Sequence, residues 1–169
     1  MYYLAIRQFA RTLTNLDTIL GKANSYAEAR KFDVNNYCTS RLFPDMLPLS
    51  NQIRISTDMA KAAAANLSGK EAPKFEDNET TIEELRARIR RCVSFLNTFT
   101  EKDFEKVTAK MPIKLAYPPG KAMLANEYLF GRQIPSFFFH VTTAYNLLRQ
   151  GGVEIGKMDF LGALPLQDA

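Results

Sequence analysis

The sequence predicts an all-α protein, a four-helix bundle with a short β-hairpin inserted before the last long helix. Three observations carry this prediction. Four long segments place apolar residues three and four apart, the spacing of a helix face turned toward a core. Capping residues, glycines and prolines stand at the ends of those segments. Residues 107–124 alone change to alternation around a Pro-Pro-Gly turn. A chain of 169 residues, 46% hydrophobic and 24% charged, suits one soluble domain over residues 1–169, and no repeat or linker divides it.

The first helix is expected over residues 2–20, with Tyr2, Ile6, Phe9, Leu13, Leu16 and Leu20 on one face. Gly21 is expected to break it, with a short helical stretch over residues 25–31 and Asp33 capping a turn through Cys38. In the loop Arg41-Leu-Phe-Pro-Asp-Met-Leu-Pro48, Pro48 is placed to open the second helix, because the first turn needs no proline N–H. That helix should run over residues 48–67 on the stripe Leu49, Ile53, Ser56, Ala60, Ala63 and Leu67, whose small residues let a neighbour approach closely. Ser68-Gly69 ends it, and residues 70–78, charged and containing Pro73, read as a surface connection.

Thr80 and Thr81 each have a glutamate three residues on, the spacing of a capping box, so a third helix starts there. Ile82, Leu85, Ile89, Val93, Leu96 and Phe99 form its stripe, and Thr100 with Asp103 suggests another capped turn. The hairpin follows, with Ile113, Leu115 and Tyr117 alternating before Pro118-Pro119-Gly120 and Met123-Leu124 after it. The last long helix is expected over residues 126–150, bent or interrupted before Pro135 and stopped at Gly151-Gly152.

Charge and cysteines narrow the partners. The net charge is +4 and the pI about 9.1, with the densest basic run at Arg86, Arg88, Arg90 and Arg91. Glu83 and Glu84 precede it, giving an i,i+3 pair to Arg86 and an i,i+4 pair to Arg88. A solvated, salt-bridged face is the expectation, and no nucleic-acid partner. No apolar run approaches the ~20 residues that span a bilayer, so no membrane partner is expected. The N-terminus lacks the basic start and apolar stretch of a signal peptide, which makes a cytoplasmic location the expectation. Cys38 and Cys92 are far apart; Cys92, between Ile89 and Leu96, reads as a small buried hydrophobe.

His140 is the only histidine. A catalytic zinc site usually takes about three protein ligands, most often histidines, and this chain cannot supply them that way. No glycine-rich phosphate loop or nucleophile-elbow serine offers another chemistry.

The segment around that histidine, Pro135-Ser-Phe-Phe-Phe-His-Val-Thr-Thr-Ala-Tyr-Asn-Leu-Leu-Arg149, is followed by Gly156-Lys-Met-Asp-Phe-Leu-Gly162. Together with Arg41-Leu-Phe-Pro-Asp-Met46 and Pro73-Lys-Phe-Glu-Asp77, in the same order, it resembles an uncharacterised bacterial family within the DinB/YfiT-like superfamily. The resemblance spans nearly the whole chain. It implies a DinB-like four-helix bundle, often dimeric, so a homodimer is expected. Many relatives carry a divalent metal at one end of the bundle, held by a histidine early in the second helix and an HxxxH pair in the last, and some are metal-dependent thiol transferases. Here His140 matches the first member of that pair, Ala144 stands at the second, and Gln52 stands near the helix-two position. Asp45, Asp58 and Tyr145 are the substitute ligands at hand, though nothing in their spacing demands a metal. No metal or other cofactor is therefore expected.

Helical geometry puts Ile134, Phe137, Val141, Ala144 and Leu148 on the core face of the last helix, with His140 at its flank. Gln52 likewise flanks the second helix's stripe, so the two could meet at the mouth of a pocket. His140, Gln52, Tyr145 and Asp45 form the candidate ligand-binding set, and His140 is the sole catalytic candidate. Each has a packing alternative: a hydrogen-bonded histidine at a core edge, a glutamine reaching solvent or backbone, a buried tyrosine, a loop or helix-start aspartate beside Arg41. Phe139 points away from the core face and is expected under the hairpin or N-terminal segment, or else in a subunit contact with Tyr3 and Leu4. The functional expectation is a bundle binding a small apolar or amphipathic molecule. The alternatives are a transferase- or hydrolase-type enzyme using His140 or rearranged metal ligands, and a dimeric interaction scaffold.

Overall fold

The computed structural model describes residues 1–164, 166 and 167. Helix α1 runs Tyr2–Arg30 and buries Ile6, Phe9, Leu13, Leu16 and Leu20, then Ala23 and Ala27 on the same face. It passes straight through Gly21, against expectation. Glycine in a helix interior costs only about 1 kcal/mol relative to alanine, and two further turns of buried face outweigh that. The helix ends where Lys31 turns left-handed (φ 59°) and the Phe32 N–H reaches back 3.1 Å to the Ala27 carbonyl. Asp33 then accepts from the Asn35 N–H (2.9 Å) and opens a 3₁₀ turn, Val34–Thr39, as expected.

Helix α2 (Leu49–Ser68) starts at Pro48, buries its whole expected stripe and stops at Gly69 (φ 77°). Helix α3 (Ile82–Leu96) carries a complete capping box between Thr81 and Glu84, and a 3₁₀ turn, Glu101–Phe104, repeats the device with Thr100 and Asp103. The hairpin pairs β1 (Pro112–Lys114) with β2 (Ala122–Leu124) antiparallel, Ile113 opposite Met123. The expected interruption of the last helix is a π-helical segment, Glu127–Gln133, which hands over to α4 (Ile134–Gln150) just before Pro135. Proline has no N–H to give the i−4 ladder, and the wider π turn accommodates this. A short helix absent from the expectations, α5 (Lys157–Leu161), follows Gly156.

Helices α1 and α3 run antiparallel, tied by Asp17–Arg86 (2.9 Å) at one end and Asn97–Arg7 (2.7 Å) at the other. Helices α2 and α4 form the other principal seam, also antiparallel, with Gln52 opposite His140 and Met59 opposite Gln133. The rings of Phe9 and Phe137, 4.5 Å apart, join the seams at the centre of the core. Segment α5 folds back on α1, where Asn15 donates to the Phe160 carbonyl (3.0 Å) and Lys22 pairs with Asp159. Among the described residues no helix is long and apolar enough to cross a membrane.

Arg90 and Arg91 are exposed and Arg86 and Arg90 both pair with Glu83, as the expected solvated face requires, but Arg88 departs from it. Arg88 is wholly buried: Nε donates to Thr57 Oγ1 (2.8 Å), Nη2 to Asp58 (2.9 Å), and Nη1 to Asp77 (2.6 Å) and Glu79 (3.1 Å). Arg54 on α2 completes the group by binding the same Glu79 (3.0 Å). The expected Glu84–Arg88 pair does not form, because Glu84 is spent on the N–H groups of Thr80 (2.7 Å) and Thr81 (2.9 Å). The Glu83–Arg86 pair does form, at 3.4 Å. The connection after α2 is therefore anchored through Asp77 and Glu79, with the Phe75 ring 4.8 Å from the Arg88 guanidinium.

Candidate functional site

Two of the four sequence-derived site residues meet. His140 Nδ1 lies 2.7 Å from Gln52 Oε1, across the α2–α4 seam. Gln52 is 1% exposed, and its Nε2 donates to the Leu47 carbonyl at 2.8 Å, just before the start of α2. That second bond orients the amide. With the NH₂ group committed to a carbonyl, the oxygen must face the imidazole, so Nδ1 carries the proton and donates. In the neutral ring Nε2 then holds the lone pair, and it makes no hydrogen bond among the described residues. Burial pushes the imidazole below the ordinary histidine range, which favours this neutral form.

The surroundings of the pair are apolar. The Phe139 ring stands edge-on to the imidazole, centroids 5.2 Å apart, and Phe139 remains 56% exposed. It packs under neither the hairpin nor the N-terminal segment. Leu47, whose carbonyl holds Gln52, is also exposed. Open clefts line other parts of the surface, one of about 710 Å³ along α1 past Gly21 and one of about 640 Å³ between the end of α2 and the hairpin.

Tyr145 and Asp45 are not brought to His140. Tyr145 stacks edge-on with Phe160 and aims its hydroxyl at the Ile155 carbonyl (3.4 Å), because its side of α4 faces the segment leading into α5. Asp45 is exposed in the loop before α2; Arg41 donates to the Met46 carbonyl instead, and no side chain caps α2. The Leu47 carbonyl is a member of the site that side-chain reasoning had no means to find.

A family model described as Domain of unknown function (DUF1993) matches residues 1–161. The chain belongs to this family. Among solved structures, the DUF1993 protein is similar to a DinB family member protein from Shewanella denitrificans, with 40% identity and a TM-score of 0.93 over 99% of this chain and 95% of that one. No curated protein matches. The fold of this DUF1993 member is thus the DinB-like bundle.

The metal implied by the wider superfamily does not fit the donors of this DUF1993 chain. Of the three expected ligand positions, His140 and Gln52 are hydrogen-bonded directly to each other, and Ala144 offers a buried methyl group. Among the described residues, no group of three or more His, Cys, Asp or Glu side chains is placed to hold a metal ion. Asp58 is engaged by Arg88 and Lys61, both at 2.9 Å. The buried thiol of Cys92, pushed up to about 12 by burial, lies on α3 and faces the Thr57 carbonyl at 3.4 Å.

Proposed function

We propose that this DUF1993 protein recognises a small amphipathic molecule, without a metal, at the Leu47–Gln52–His140 group. The observation that carries the reading is the orientation of one buried amide. Gln52 uses its NH₂ on a backbone carbonyl and its oxygen on the imidazole, which puts a proton on Nδ1; in the neutral ring that burial favours, Nε2 is then an acceptor. A ligand hydroxyl or N–H would donate to Nε2, and its apolar body would lie on the exposed faces of Phe139 and Leu47.

The test is NMR on uniformly labelled protein titrated with a panel of phenols, short alcohols and amides. The imidazole resonances should report the Nδ1–H tautomer, and hits should shift His140, Phe139 and Leu47. Binding should vanish in His140→Ala while the fold persists. Hits that map elsewhere, or that bind the variant equally well, would sink the reading.

The same tautomer supports a second reading, in which Nε2 acts as a general base. That reading requires turnover that declines as pH falls through an apparent pKa below the ordinary histidine value, and that is lost in His140→Gln.

A further inference from the structure

The cleft of about 640 Å³ at the end of α2 gathers an unbalanced charge. Lys70 comes from just beyond α2, Lys102 and Lys106 from the 3₁₀ turn and its exit, and Lys114 from β1. Asp103 is the single carboxylate lining it, and it is already bound by Lys70 at 2.7 Å and by the Thr100 N–H at 2.8 Å. Glu101 and Glu105 lie on the same segment but do not line the cleft. Lys102, Lys106 and Lys114 have no ion-pair partner among the described residues. The carbonyl end of α2 offsets at most about half a charge. Three lysines without a carboxylate partner, two from the 3₁₀ segment and one from β1, thus line one cleft and give an entering anion a net positive surrounding.

We propose that this cleft binds a small polyphosphate group, a di- or triphosphate chain. The cleft is far larger than a single phosphate requires. Its cations are lysines, mobile point charges that follow phosphate oxygens without the fixed fork that a guanidinium imposes. Asn66, on the cleft wall, adds a polar neutral group. A duplex nucleic acid is disfavoured because no recognised nucleic-acid-binding motif accompanies the cleft.

The probe is inorganic tripolyphosphate, titrated against ¹⁵N-labelled protein at about physiological salt (where the Debye length is near 8 Å), with monophosphate and a short DNA duplex as comparison arms. Amide shifts should be confined to the cleft segments around residues 66–70, 102–107 and 111–114. Tripolyphosphate should bind at least about tenfold more tightly than monophosphate, since each added contact contributes counterion release. The triple substitution Lys102→Gln, Lys106→Gln, Lys114→Gln should weaken it at least about tenfold. The control Lys74→Gln, Lys121→Gln, Lys157→Gln removes the same charge outside the cleft and should have little effect. All six lysines are exposed, so both variants should fold, and circular dichroism checks that they do. The proposal is overturned if the wild type shows no saturable binding, if both triple variants weaken equally, or if the duplex binds more tightly than tripolyphosphate.

Discussion

Gln52 and His140 face each other at 2.7 Å, and the glutamine's other amide group is held by the Leu47 carbonyl. The relationship has a pH consequence whose sign is set by burial. The folded imidazole titrates below the ordinary value, whereas in the unfolded chain it titrates near about 6.5. Above that pH neither state is protonated at this residue. As pH falls below about 6.5 the unfolded chain takes up the proton first, so stability declines until the folded pKa is passed. Urea unfolding at a series of pH values should show a shallower decline below about 6.5 in His140→Gln than in the wild type. Parallel curves would exclude this contribution.

The buried guanidinium of Arg88 and the buried carboxylate of Glu79 need each other. Burial by itself would raise the Glu79 carboxyl, but its own backbone N–H together with Arg88 and Arg54 outweighs that and holds it below the ordinary range. Arg88→Met keeps most of the packing volume but takes from the buried Glu79 one of its two close cationic partners, leaving Arg54. It should cost about 3 kcal/mol or more in denaturant unfolding. Arg86→Met, at the partly exposed pair with Asp17, should cost no more than about 1 kcal/mol. Equal losses would show that burial is not what distinguishes the two.

Two glycines should respond in opposite directions. A Cβ at Gly21 would come no closer than 3.5 Å to Arg86, an ordinary contact. Gly21→Ala should therefore raise stability by about 0.5–1 kcal/mol through helix propensity. A Cβ at Gly151 would stand 2.3 Å from the ring of Tyr37, whose hydroxyl donates to the Gly151 carbonyl at 2.7 Å. Gly151→Ala should destabilise by about 1–3 kcal/mol. Thermal melts of the two variants test both signs at once.

Metal uptake offers a gain-of-function test of the donor set. The chain purified without chelators and soaked with zinc should hold no stoichiometric metal. Introducing Gln52→His together with Ala144→His supplies two imidazoles near His140, one across the seam and one a turn along α4, and should create zinc binding measurable by elemental analysis. Stoichiometric zinc in the unaltered chain, lost in His140→Ala, would contradict the metal-free reading.

Much of the architecture was legible because its signals are local. Thr81 and Glu84 build a capping box from four consecutive residues, and Gly69 and Gly151 stop helices at their own positions. The pairing of His140 with Gln52 was legible for a related reason: two helix-flank positions on neighbouring helices have few places to go. Arg88 was misread because an i,i+4 glutamate was available on paper, whereas that glutamate satisfies the backbone at the helix start. A signal was present all the same, since Arg88 falls on the buried arc between Leu85 and Cys92, where a charge demands partners.

By itself the sequence determined the four long helices, most of their ends, the hairpin and the single histidine, which follow from periodicity, capping and residue type, while the family followed from motifs that resemble its members. Only the tertiary structure decided which charges are buried, that α1 runs through Gly21, that Tyr145 and Asp45 stand apart from His140, and that a backbone carbonyl at Leu47 sets the histidine's tautomer. These depend on which groups meet across the chain, and whether a polar atom is paired or left to water is decided by that meeting rather than by spacing along a helix.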